Sequence, residues 1–77
     1  MTMTSRFITV KEIAKKFGLS YQVINRYSDA GLLDISFKKG NIRYYERKAV
    51  EKRMSRISVL AREGYSLMLI RKKLTGI

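Results

Sequence analysis

The sequence contains no cysteine and no histidine. Without cysteine, neither a disulfide nor a thiolate metal site can staple the chain. Without histidine, the commonest general base and the commonest metal ligand are both missing. Proline is absent too, so there is no proline-rich linker. Acidic residues are few: Glu12, Asp29, Asp34, Glu46, Glu51 and Glu63 stand against 17 Lys and Arg. These acids are scattered, and each has a capping, turn or surface explanation. No paired carboxylates, no phosphate-cradling glycine loop and no nucleophile beside a base can be found. Neither an enzyme nor a cofactor or metal site is expected. The longest apolar run is far too short to cross a bilayer, and the opening MTMTSRF lacks the apolar stretch of a signal peptide. A cytoplasmic location is the expectation.

Positive charge is what the chain has in excess. The formal net charge is +11 and the sequence pI is near 10.4. Such a domain repels itself and is drawn to polyanions. The basic residues are spread over a chain with its own apolar positions, not gathered on one amphipathic helix. That distribution favours nucleic acid over a membrane surface. At 77 residues, a single domain over 1–77 with a thin core is expected.

Met1 to Phe7 reads as a flexible tail, with Phe7 or Ile8 tucked down at its end. Thr9 and Glu12 have capping-box spacing, which predicts a helix start. A first helix over about Val10 to Lys16 puts Val10, Ile13, Ala14 and Phe17 on one face. Gly18 ends it, and Ser20 can cap a second helix. In that helix Val23, Ile24 and Tyr27 share one face, while Tyr21, Gln22, Asn25, Arg26 and Asp29 share the other. Gly31 can stop it. Two helices around a short glycine-containing turn form the helix-turn-helix pattern. The second helix would enter the major groove by its N-terminal end.

After Gly31 the period changes. Leu33, Ile35 and Phe37 alternate with polar residues, which predicts a strand. Lys38 to Asn41 reads as a hairpin turn, and Asn41 to Tyr45 as the return strand. This hairpin would form a wing, with Lys38 and Lys39 at its tip and Arg43 and Tyr45 on its return arm. Ile42 and one of Tyr44 and Tyr45 are expected to be partly buried. A third helix over roughly Arg47 to Glu63 places Ala49, Val50, Met54, Ile57, Leu60 and Ala61 inward. Gly64 closes it. Ser66 then caps a fourth helix, Leu67 to Leu74, with Leu67, Ile70 and Leu74 inward. The predicted fold is mainly α: a winged helix-turn-helix with a small two-stranded wing and two further helices.

The string from about Ile8 to Leu74 resembles the DNA-binding domain of the MerR family of bacterial regulators. The resemblance rests on ITVKEIAKKFGLS, VINRYSDAGLL, GNIRYY and AVEKRMSRISVLAREGYSLMLIRKKL, the last being the most specific. It implies contacts to double-stranded DNA from Tyr21, Gln22, Asn25 and Arg26, and from Arg43 and Tyr45 in the wing. The family usually has Arg-Tyr-Tyr where this chain has Asn25-Arg26-Tyr27, so the arginine is displaced by one position. Where the family's wing has Gly-Tyr-Arg, this one reads Gly40-Asn41-Ile42-Arg43, one residue longer. The long dimerising helix of full-length members is not in this sequence. A cut-out domain or a small single-domain member is therefore expected, pairing or assembling cooperatively on DNA.

Three functions remain open at this point. The first is a sequence-specific transcription regulator. Tyr21, Gln22 and Asn25 would meet base edges, and Arg26, Lys38, Lys39 and Arg43 would meet phosphates. The second is an architectural factor, excisionase-like or acting in plasmid or chromosome segregation, that assembles as a multimer. The third is stacking on single-stranded RNA, which is disfavoured because packing accounts for the aromatics.

Overall fold

A computed structural model describes residues 6–76. Local signals set most of its elements. Thr9 has extended backbone angles, its hydroxyl accepts from the Glu12 N–H, and the Glu12 carboxylate accepts from the Thr9 N–H at 2.9 Å. That capping box starts α1, Val10–Phe17. Gly18 ends it with φ at +66°, a conformation a side chain would strain. The Gly18 and Leu19 N–H groups both donate to the Ala14 carbonyl, closing the turn. Ser20 caps α2, Tyr21–Asp29, by accepting from the Val23 N–H. Ile13 and Ala14 of α1 meet Ile24 of α2 in the core.

Chain before α1 was expected to be tail as far as Phe7. Met1 to Ser5 lie outside the described residues, but Phe7–Thr9 is a strand, β1. It pairs antiparallel with β3, Ile42–Glu46, placing Ile8 opposite Tyr45. β3 also pairs with β2, Phe37–Lys39, so the wing belongs to a three-stranded sheet of order β1-β3-β2. The outgoing strand is shorter than the alternation suggested. Leu32 and Leu33 are both buried, and consecutive inward side chains do not fit a strand of period two. Ladder pairing begins only near Ser36, whose N–H donates to the Tyr44 carbonyl. The turn between strands is Gly40-Asn41, with φ +64° at Gly40 and no positive φ at Asn41. Those signs belong to the II′ hairpin turn, which suits strand twist. Ile42 stands beside that turn and is 50% exposed, not partly buried as expected.

Behind the sheet run α3, Arg47–Arg62, and α4, Leu67–Thr75. Val50, Met54 and Ile57 of α3 and Ile70 of α4 join the core with Ile8, Leu32, Leu33 and Tyr45. Ala49 and Ala61, expected inward, are exposed. α3 has no side-chain cap at Glu46. Its first N–H, from Arg47, instead donates to the carbonyl of Arg6 at the head of β1. The α1 C-terminus is tied to α3 by Lys16, which pairs with Glu51, as does Arg47. These ion pairs, still open to solvent, contribute little to stability; the apolar cluster does the holding.

Ile13 is fully buried and Val59 is about half exposed. Ile13→Ala should lower unfolding free energy by about 2–5 kcal/mol. Val59→Ala should change it by no more than about 0.5 kcal/mol. Urea denaturation followed by circular dichroism measures both.

Candidate nucleic-acid interface

Helical spacing sorts the α2 side chains. Ile24 points into the core with 0% exposure, and Ser28, one turn on, lies part-buried on the same side. The Ser28 hydroxyl donates to the Ile24 carbonyl at 3.2 Å and lies 2.6 Å from the Tyr45 hydroxyl. Since the serine proton goes to Ile24, the phenol donates to serine. The chain Tyr45 to Ser28 to Ile24 thus uses every donor it contains. Tyr45 is fully buried. It was expected to offer its phenol to DNA, and its burial overturns that: opposite Ile8, it faces the core and clamps the wing to α2.

The opposite parity of β3 shows the other face of the sheet. Tyr44 stacks on Phe37, ring centroids 4.7 Å apart and planes within 8°, and Phe7 packs edge-on against Phe37 at 5.0 Å. Two adjacent tyrosines therefore do different jobs, one in the core and one in an aromatic cluster on the sheet surface.

Arg43 joins the wing to the outward side of α2. Its Nη1 donates to Asn25 Oδ1 at 3.3 Å and lies 3.5 Å from Asp29 Oδ1. Asn25 and Asp29 are four apart and so lie on one helix face; a single guanidinium spans both. Lys38 sits opposite Arg43 in the hairpin register. An open groove of about 1010 Å³ lies between the wing, the start of α1 and this face of α2. Tyr21, Asn25, Lys38 and Arg43, all expected site residues, line it. Gln22, Arg26 and Lys39, also expected, are exposed but outside the lining. Tyr21 is 52% exposed at the N-terminal end of α2, the end from which base edges are reached in helix-turn-helix docking.

Two residues at the groove were not singled out from the sequence. Lys11 of α1 adds a cation to the rim. Asp29 places a carboxylate, 70% exposed, beside Arg43. Its spacing from Asn25 was visible; the approach of Arg43 from another element was not. Among the other acids, Glu12 is engaged in the capping box, Glu46 with Arg6, and Glu51 with Lys16 and Arg47. Lys73 lies over the Tyr65 ring at 4.6 Å. The described residues include no group of three or more metal-ligating side chains.

Two helices joined by a tight turn, with a hairpin held beside the second, define a winged helix-turn-helix. The model of the MerR helix-turn-helix regulatory protein family matches residues 8–77, and the chain belongs to that family of DNA-binding transcription regulators. No curated protein and no solved structure gives a match.

Tyr45→Phe removes one buried hydroxyl and leaves Ser28 its bond to Ile24. It should cost about 1 kcal/mol of stability, read as a lower urea midpoint with unchanged far-ultraviolet circular dichroism.

Proposed function

We propose that the chain recognises a short site on double-stranded DNA and regulates transcription from it. The observation that carries this reading is the bridge from Arg43 to Asn25, which holds an amide and a guanidinium at one groove. An asparagine amide can pair with adenine through its acceptor and donor together. In this reading Asn25, Gln22 and Tyr21 meet base edges in the major groove. Arg26, Lys38 and Lys39 hold phosphates, which fix register rather than sequence. Arg43 supports Asn25 from the wing. The net charge of +11 supplies the salt-dependent attraction to any duplex. Such a protein works in the cytoplasm, against nucleoid DNA. No helix among the described residues is long and apolar enough to cross a membrane.

A second reading keeps the DNA and changes the assembly. Val59 on α3 and Met68 and Leu69 on α4 are exposed at 49%, 78% and 48%, apolar side chains that a second copy could cover. Copies meeting there would build a homodimer or a multimer along the duplex, as an architectural factor does.

Binding to duplex DNA from around its own coding region, against a random-sequence pool, separates the two when the mass of the complex is read. A fixed two-chain complex at one site supports the regulator. Complexes that grow with DNA length support the architectural reading. Arg26→Ala should weaken binding to all duplexes alike and lower the salt slope by about 1. Arg43→Ala should weaken it too, whereas Arg62→Ala, at the end of α3, should not. Equal effects from all three would mean the binding face lies elsewhere.

A further inference from the structure

A carboxylate on a surface that meets phosphates works against binding. Asp29 is such a group: it lines the groove, its side chain is 70% exposed, and no capping bond occupies it. The only cation within ion-pair distance of it among the described residues is Arg43, whose Nη1 lies 3.5 Å from Oδ1. The same Nη1 donates to Asn25 Oδ1. Holding the guanidinium at Asp29 therefore holds it at Asn25, and Asn25 keeps one oriented amide. The oxygen retains a second lone pair and the nitrogen both its protons, so the amide stays free to read a base.

We propose that Asp29 is a specificity-determining positioning residue, which competes with DNA phosphates for Arg43 and so suppresses binding to non-cognate duplex. This rests on the DNA-binding reading above and adds to it a residue that touches neither base nor phosphate. On arbitrary sequence, a phosphate can recruit Arg43 only by drawing it from Asp29 and uncovering that carboxylate in the field of the backbone. Asn25 then loses its support with no base contact in return. On the cognate site, Arg43 stays on Asn25 and the supported amide pairs with its base. Non-cognate binding is penalised and cognate binding is left nearly as it was. The preference is set by the difference between the two affinities.

The test uses the whole chain with Asp29→Asn, a neutral near-isostere at an exposed position, and Glu63→Gln as a control that removes one negative charge away from the groove. Each binds a duplex selected by the unmodified chain from a random pool, and the unselected pool itself, over a range of salt. Releasing Arg43 to one more phosphate should steepen the salt slope on the unselected pool by about 0.9, which tightens binding there roughly fivefold at about 0.15 M salt. Affinity for the selected duplex should change less, so the preference falls by a similar factor. In an Arg43→Ala background Asp29→Asn should no longer steepen the salt slope, since no guanidinium is there to be released; only the gain from removing a carboxylate that faces phosphate remains. The proposal is overturned if Asp29→Asn tightens binding no more than Glu63→Gln, or if it steepens the salt slope as much without Arg43 as with it. Failure of the unmodified chain to bind any duplex would overturn the DNA-binding reading along with it; duplex binding indifferent to Asp29 would sink only this proposal.

Discussion

The buried hydrogen-bond chain from Tyr45 through Ser28 to the Ile24 carbonyl joins the two halves of this protein. A helix-turn-helix can form from local signals alone, and so can a hairpin. Neither fixes the angle between them. The phenol of Tyr45 does so, because a donor buried away from water must reach its acceptor or lose its full desolvation cost. Once Tyr45 points inward, strand alternation turns Tyr44 outward onto Phe37 and sends Arg43 back towards α2. The groove is a consequence of that one choice of parity.

Much of this fold was legible in the sequence because its punctuation is local. Thr9 with Glu12, Gly18, Ser20 and Ser66 each act within a few residues, and each does in the structure what its chemistry allows. What was not legible is what depends on distant chain. Three residues of β1 carry no period to detect; they are a strand only because β3 lies beside them. Tyr44 and Tyr45 are adjacent aromatics, so either could have faced inward. The deciding partner, Ser28, looked like an ordinary helix residue. The site divides in the same way: the outward residues of α2 followed from helical spacing, while the engagement of Asp29 with Arg43 required the hairpin's position.

The few acids are placed with economy. Glu51 draws Lys16 and Arg47 to the α1–α3 contact, Glu46 holds Arg6, and Glu12 closes a cap. Each carboxylate removes a cation or a stray N–H from circulation on a surface otherwise crowded with positive charge. Lys38, Lys39 and Arg26 have no such carboxylate partner among the described contacts and remain exposed. Net charge draws the chain to a polyanion from any direction, and the placement of the acids selects which side arrives first.

The edge strand β1 also has a meaning in time. Ile8 meets Tyr45 only after the entire helix-turn-helix and the wing tip have been added between them. A chain emerging N-terminus first has therefore released β1 and both helices of the helix-turn-helix before the residue that locks them emerges. Until then Ile8 and Ile13 have no complete core to enter, and the first strand offers a free edge. The core is complete only once Val50, Met54, Ile57 and Ile70 have followed, and at the start of α3 the Arg6 carbonyl receives the first N–H of that helix. One peptide group thus records that the earliest part of the chain has found its place.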